Sequence, residues 1–412
     1  MEFKEQQLKN ILEINPRMTL KKGTVTKKIA MEHLTEYVKQ VKGYELSEFK
    51  SGSKFKNKDT LVARITPCLE NGKTAYVDIL ADDEVAFGST EFFVVRAKEN
   101  KGDPQFIYYL MRHPKVRDAT IKSMTGTSGR QRAQKEAILE YSMSLPNIFD
   151  QKKIGYFLSL FDSKIEANND TIHNLEQLSQ NFFKHWFIDF EFPNEEGKPY
   201  KSSGGEMVES ELGEIPKGWK VFPLYDLAEY INGTSFKKHE LQNEKNDLPI
   251  IKIAELKSGF SGNTKYFIGE KDKKYYLKNG DILFSWSGNP ETSIDTFFWT
   301  RGKGILNQHI FKVVSTKYPQ QLIYILLKYF KPTFSRIASN KQTTGLGHVT
   351  VKDLKRLKVV LPLDSSPYVQ LNHLGDLILN LNLENIKLQE LRDTLLPKLL
   401  SGEIEIPDNL EV

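Results

Sequence analysis

Between Asp150 and Phe190 apolar residues return at steps of four and three: Ile154, Leu158, Phe161, Ile165, Asn168, Ile172, Leu175, Ser179 and Phe182. Seven of these nine positions are apolar, and the residues between them are mostly Lys, Glu, Asp, Asn and Gln. That spacing keeps one stripe on one side of a slightly underwound helix, the seam of a coiled coil. A second run repeats the pattern near the C-terminus: Leu374, Ile378, Leu381, Asn385, Leu388, Arg392 and Leu395. Arg392 interrupts the seam, and Leu391 and Leu399 are expected to widen the apolar face beside it. Each seam carries one asparagine, which costs stability and can fix register. The pattern predicts two long helices that pair with each other. The alternative is two ordinary amphipathic helices, each packed on its own domain.

What precedes each helix also matches. Thr60–Ile65 and Glu91–Arg96 are rich in β-branched or aromatic residues and predict strands. Phe106–Arg112 (FIYYLMR) predicts a helix ending near His113-Pro114. A polar loop, Met124–Arg132, and a strand, Tyr141–Leu145, lead to Pro146 and the first long helix. In the second half, LIYILLK (Leu322–Lys328) lies 216 positions after FIYYLMR, and Leu361-Pro362 lies 216 after Leu145-Pro146. Asp281–Ser285 matches Thr60–Arg64, and Ile310–Val314 matches Phe92–Arg96. Leu374-Gly375 stands 220 after Ile154-Gly155, and Leu388–Leu391 stands 213 after Leu175–Leu178, so the second helix is one heptad shorter. The loss of seven residues preserves a coiled-coil face. The chain is a duplication.

Charge changes the picture. Residues 1–148 hold 25 Lys and Arg against 19 Asp and Glu, and residues 215–365 hold 24 against 13. Residues 149–188 hold 4 against 5, and residues 189–214 hold 2 against 8. Two basic blocks joined by acidic connectors suit polyanion binding, although lysine-rich solvated surfaces are common. Residues 191–214, after the aromatic cluster Phe182–Phe192 and Pro193, predict a loop or linker. With Cys68 as the only cysteine, no internal disulfide can form, which points to a reducing compartment. The N-terminal residues lack the apolar core of a signal peptide, and the apolar stretch Leu322–Phe330 is too short to span a bilayer. These features predict a soluble, cytoplasmic protein.

Catalytic signatures are missing. The eight His residues show no metal-binding spacing, and no phosphate-binding GxxxxGK[ST] loop occurs. Asn289-Pro290-Glu291-Thr292 resembles an adenine-methyltransferase loop but lacks its second proline and its aromatic ring. Asp189 with Glu196 and Lys198 mimics a nuclease carboxylate set, but in a segment predicted to be flexible. Binding chemistry is present instead. Lys54, Lys56 and Lys58 stand among small residues in a loop suited to tracking phosphates. Arg64, Ser128, Arg130, Gln131 and Arg132 offer guanidinium, amide and hydroxyl groups, the side chains best suited to base edges. The second block offers Ser235, Lys237, Lys238, Trp286, Asn307, Gln308, Lys341, Gln342, Thr343, Thr344 and His348.

Four passages then resemble the specificity subunit of Type I restriction–modification systems. They are Trp219…Leu224-Tyr-Asp-Leu…Ile231-Asn-Gly-Thr-Ser-Phe, Leu277-Lys-Asn-Gly-Asp-Ile-Leu-Phe-Ser285, Gln151-Lys-Lys-Ile through Phe182-Phe-Lys-His-Trp-Phe187, and Leu388–Gly402. The first block departs from the pattern, having no Gly-Trp lead-in like Gly218-Trp219. The resemblance implies an α+β chain of two tandem target-recognition domains, each mixed α/β, at residues 1–148 and 215–365. Two long helices, 149–190 and 366–402, would form an antiparallel coiled coil in a pseudo-twofold repeat, with an acidic linker at 191–214 and a tail at 403–412. It implies double-stranded DNA as ligand, with methyltransferase and restriction/translocase subunits as partners. S-adenosylmethionine, ATP and magnesium are expected on those partners and no cofactor on this chain, which would be non-catalytic. The competing readings are a single-chain DNA methyltransferase or nuclease, and a coiled-coil protein scaffold.

Overall fold

The computed structural model describes residues 2–127, 129–243, 247–342, 345–363 and 368–407. The chain divides into two compact units, Met1–Ile165 with Lys387–Val412, and Glu166–Ile386. Each unit therefore holds one basic block together with half of each long helix, and the helices do not form a body of their own.

The first unit opens with an antiparallel ribbon in which Phe3–Gln7 pairs with Ser142–Pro146, Phe3 opposite Pro146. One four-stranded sheet runs Leu12–Ile14, Phe92–Ala97, Thr60–Ala63, Thr74–Tyr76. A second runs Glu45–Glu48, Val25–Ile29, Ala86–Gly88, Ser53–Phe55, with a parallel pair at its centre. Helix α1 (Pro104–Arg112) starts where the Asp103 carboxylate accepts the Phe106 N–H at 2.8 Å, a capping contact that also suits Pro104 in the first turn. Its residues Phe106–Arg112 are all buried, which is why the segment is apolar nearly all round. Pro114 ends α1 but starts α2 (Pro114–Lys122), because a proline is tolerated in a first turn where its missing N–H has no partner. Short α3 (Lys135–Leu139) leads back to the ribbon.

Helix α4 (Ile148–Phe183) follows and closes with a π turn at Lys184–Ile188. The acidic segment is more ordered than a linker. Phe192 stacks on Tyr200 and on Trp219, each at 4.6 Å, and Met207–Ser210 forms a hairpin with Gly213–Pro216. Buried aromatic area gathers what the polar composition concealed.

The second unit repeats the first. Trp219–Pro223 pairs with Lys358–Pro362, Trp219 opposite Pro362. Both ends of that ribbon lie 216 positions beyond those of the first, so Phe3 holds the place of Trp219 and completes the block that lacked a Gly-Trp opening. The first sheet runs Ala228–Asn232, Ile310–Ser315, Ile282–Ser285, Asp295–Phe298, the same order as its counterpart. In the second sheet Leu248–Ile251 pairs in parallel with Gly304–Leu306, again as in the first unit. The helices are α5 (Ile253–Ser258), α6 (Gln320–Tyr329), α7 (Lys331–Asn340), α8 (Val351–Arg356) and the long α9 (Val369–Ser401).

The long helices pair within each unit. In the second unit Asn168 Nδ2 donates to Asn385 Oδ1 at 2.9 Å and to Glu384 at 2.8 Å, while Asn385 Nδ2 donates to Asn169 at 2.9 Å. The two seam asparagines thus meet each other. In the first unit Ile154 and Leu158 share a core with Leu396, Leu399 and Leu400, while Asp162 meets Arg392. Numbers fall along α4 as they rise along α9, so the pairing is antiparallel. Ile165 and Ile378 are buried, and Phe161, Ile172, Leu175, Phe182, Leu374, Leu381, Leu388 and Leu395 are half-buried.

Arg392 does not break the seam. Its side chain is buried, paired with buried Asp162, which also accepts the Tyr109 hydroxyl at 2.5 Å. A buried charge persists only when paired and hydrogen-bonded, and this one is both. Leu391, expected to widen the apolar face, is instead 52% exposed, and Leu396 takes the inner position.

Each long helix also carries a glycine where α1 or α6 abuts it. A Cβ on Gly155 would lie 2.7 Å from the Phe106 nitrogen, and one on Gly375 would lie 2.5 Å from Gln321 Cβ. Glycine is present because the helix surfaces leave no room for more.

Candidate nucleic-acid interface

In the first unit three segments meet at Arg64. The Arg64 N–H donates to the Glu91 carbonyl at 3.0 Å, and the Arg64 carbonyl accepts the Ala133 N–H at 2.8 Å. The polar loop returns as a narrow hairpin, with Thr125 bridged to Arg132 and Arg132 to Ile65. Gly126 and Gly129 take φ of +126° and +77°, a region closed to most side chains, so the turn depends on them.

This stitching brings Arg64, Glu91 and Arg132 together. Arg132 donates from Nε at 3.0 Å and from Nη2 at 2.7 Å to the Glu91 carboxylate, a bidentate pair. Arg64 donates from Nε to the same carboxylate at 3.2 Å, and its guanidinium carbon lies 5.8 Å from the centre of the Phe93 ring. The Arg132 guanidinium, with Arg64 beside it, holds the Glu91 carboxyl below the usual carboxylate range. Arg130 is exposed, and Gln131 is half-buried. Ser128 lies outside the described residues.

The lysines of the first block separate. Lys54 lies on the strand Ser53–Phe55, beside a hollow it shares with Arg17. Lys56 and Lys58 line a different concavity together with Asp82, Asp83 and Glu84. The loop does not present its cations on one side.

The second unit fills the same positions with other chemistry. Ala63 pairs with Phe92 and Ser285 pairs with Ile310, so Trp286, not the Ser285 that the sequence match set against Arg64, follows its strand as Arg64 does, and His309 precedes its strand as Glu91 does. His348 pairs with Ser287, as Arg132 pairs with Ile65. The Trp286 carbonyl accepts the Val349 N–H at 2.8 Å, the counterpart of the Ala133–Arg64 bond. Trp286 packs its ring 5.7 Å from that of His309 and donates from Nε1 to Asn232 at 3.1 Å. Thr234 bridges Asn307, and Gln308 lies 3.4 Å from the His309 ring nitrogen. Asn307, Gln308, Trp286 and His348 therefore gather at one edge.

The remaining candidates fall elsewhere. Lys341 is held by Asp353, and Ser235, Lys237 and Lys238 are exposed. Gln342 is exposed, and Thr343 and Thr344 lie outside the described residues. Sequence reasoning missed the role of Glu91. Setting it beside His309, just before the matching strand, carried the signal.

The features weighed for catalysis dissolve into local structure. The Asn289 side chain accepts the Glu291 and Thr292 N–H groups in a tight turn. Asp189 pairs with Lys184, and Glu196 pairs with Lys198. One trio, Glu32, His33 and Glu45, brings three possible metal-ligand atoms within 4.8 Å of one another, but Glu45 already pairs with Lys28. Among the described residues no helix is long and apolar enough to cross a membrane.

The family model for the Type I restriction modification DNA specificity domain matches this chain twice, at residues 1–177 and 216–392. The chain belongs to that family. Each copy of the specificity domain spans one block and runs into the long helix that follows it. The MjaIX specificity subunit of Methanocaldococcus jannaschii is 28% identical over 321 residues, covering 74% of this chain and 70% of its own. The HindI specificity subunit of Haemophilus influenzae is 23% identical, covering 89% and 90%. A crystal structure of a Type-I restriction-modification S subunit from M. genitalium is similar over 97% of this chain and 96% of its own, with 15% identity and a TM-score of 0.47. As a specificity subunit the chain is a non-catalytic DNA-recognition component with two target-recognition domains.

Proposed function

We propose that the two domains each read one half of a bipartite DNA target, while the long helices seat the subunits that act on it. One observation carries the reading. The same backbone positions, fixed by the same strand pairings, hold Arg64, Glu91 and Arg132 in one domain and Trp286, His309 and His348 in the other. A repeated scaffold with exchanged polar side chains at one edge suits two related tasks on two different sequences. Arg130, Lys54 and the exposed Lys237 and Lys238 supply phosphate contacts.

The partners are methyltransferase subunits and restriction/translocase subunits, which bring S-adenosylmethionine, ATP and magnesium to the assembly in the cytoplasm. Exposed apolar residues at matching places on the long helices support docking there. Phe149 and Leu391 are 62% and 52% exposed in the first unit, and Val369 and Leu178 are 47% and 43% exposed in the second. Phe149 matches Val369 and Leu178 matches Leu391 in the repeat, so each unit exposes the same pair of apolar positions.

The test is exchange of residues 215–365 for the corresponding block of a relative, followed by mapping of methylated adenines in cells that hold the partner subunits. One half of the target changes and the other stays. If both halves change together, or neither does, the one-domain, one-half reading is wrong.

A further inference from the structure

The Arg64–Glu91–Arg132 cluster leaves its donors unevenly spent. Arg132 uses Nε and Nη2 on Glu91, and its Nη1 lies 3.5 Å from the Arg130 carbonyl. Arg64 uses only Nε on Glu91. Among the described residues its two terminal nitrogens meet no acceptor, while its guanidinium plane is steadied by the Phe93 ring and its backbone is bonded on both sides. The side chain is one-third exposed, so the fork reaches solvent from a fixed base. A planar fork with two parallel N–H groups free at its end matches the O6 and N7 acceptors of guanine in the major groove. Phosphate tracking needs no such fixation, because a mobile lysine or arginine serves as well.

Resting on the half-site reading above, we propose that Arg64 makes the bidentate contact to a guanine in the half-site of the first domain, with Glu91 as its positioning residue. Glu91 keeps the Arg64 fork aimed and holds Arg132 back from the phosphates. The second domain has Trp286 at the matching position, which cannot donate a fork, so its half-site is read without this contact.

The measurement uses the chain assembled with its methyltransferase subunits, with binding titrations on the mapped target and on single-base variants of it at several salt concentrations. Arg64→Ala lowers the preference for guanine at one position of the first half-site by roughly 5- to 150-fold and leaves the second half-site unchanged. Glu91→Gln keeps the shape and removes the charge, and it moves two quantities in opposite directions. Discrimination at that position falls. Affinity for unrelated DNA rises, and the salt slope steepens by about 0.9 for each phosphate contact the released Arg132 makes. A Glu91 that served only the fold would not strengthen non-specific binding.

Equal weakening by Arg64→Ala on every sequence overturns the proposal, because that is the signature of a phosphate contact. So does a first half-site without a guanine whose preference depends on Arg64. If Arg64→Ala does not fold, the Glu91→Gln pair of readouts decides alone, and unchanged discrimination there refutes the proposal. Failure of the half-site reading looks different, since the domain exchange would then alter both halves of the target or neither, whatever Arg64 does.

Discussion

At the scale of single residues, space and charge decide what the sequence could not display. Alanine stabilises a helix interior over glycine by about 1 kcal/mol, so Gly→Ala in a long helix should ordinarily help. At Gly155 and Gly375 the added methyl meets backbone or Cβ atoms at 2.7 and 2.5 Å. Overpacking of that kind costs about 1–3 kcal/mol, which outweighs the propensity gain. Gly375→Ala should therefore lower the melting temperature, whereas a gain would show that α6 can move away from α9. Glu91 offers a second case. Its folded-state pKa lies below its unfolded value because Arg132, then Arg64, bond its ionised form. Its contribution is complete above the ordinary glutamate range and is lost as pH falls through the lowered folded value. The difference in thermal stability between the wild type and Glu91→Gln should hold steady from neutral pH to the usual glutamate range and vanish below it. A difference that persists in strong acid would mean that Glu91 acts by shape alone. None of this is visible in a string of letters, where Glu91 is merely the first residue of an expected strand.

At the scale of elements, much was legible because periodicity and repetition are properties of the string. The long helices, the strand before Pro146 and the matching α1 and α6 all followed from spacing, whereas the strands that pair with Ser142–Pro146 and Lys358–Pro362 did not. What escaped belongs to two elements at once. Asp162 was one of the polar residues between seam positions and Arg392 looked like an error in the seam, because neither helix alone reveals that the other supplies the counter-charge. For the same reason Leu391 turns outward and Leu396 packs inside. The asparagines were visible as oddities, and the structure gives them each other as partners. Replacing only Asn168 by Leu leaves Asn385 one bond short in a buried place, at about 1–3 kcal/mol. Replacing both Asn168 and Asn385 by Leu removes the desolvated amides together and should recover that loss or exceed it. The same change removes the feature that sets pairing, so the double variant should form mixed species that the wild type does not. Melting curves with light scattering measure both effects. A double variant that is less stable than either single one would show that the amides hold the helices together rather than select their register.

At the scale of the whole molecule, the duplication makes the two blocks interchangeable parts with defined ends. Phe3–Pro146 and Trp219–Pro362 have equal length, and each begins and ends on the same paired ribbon. Residues 3–146 can therefore stand in place of 219–362 with their terminal strands in register. The contacts that differ are those made to the long helices. In the first unit Tyr109 donates to Asp162 and Arg112 pairs with Asp393, whereas in the second Tyr324 donates to Glu176 at 2.5 Å and Lys328 pairs with Glu176. By the offset of 216, Tyr108 and Arg112 take the places of Tyr324 and Lys328, so a tyrosine hydroxyl and a cation still face Glu176. Tyr109 takes the place of buried Ile325 and loses its carboxylate, leaving a buried hydroxyl unpaired at about 1–3 kcal/mol. The transplanted chain should therefore melt below the wild type, and Tyr109→Ile in the second copy only should restore most of the difference. Reading is a separate matter, because the loops that carry Arg64, Glu91 and Arg132 travel with the block. With the partner subunits present, adenine methylation should move to targets in which both halves carry the sequence read by the first domain. A folded, active chimera that still methylates the original target would place recognition of the second half outside residues 219–362.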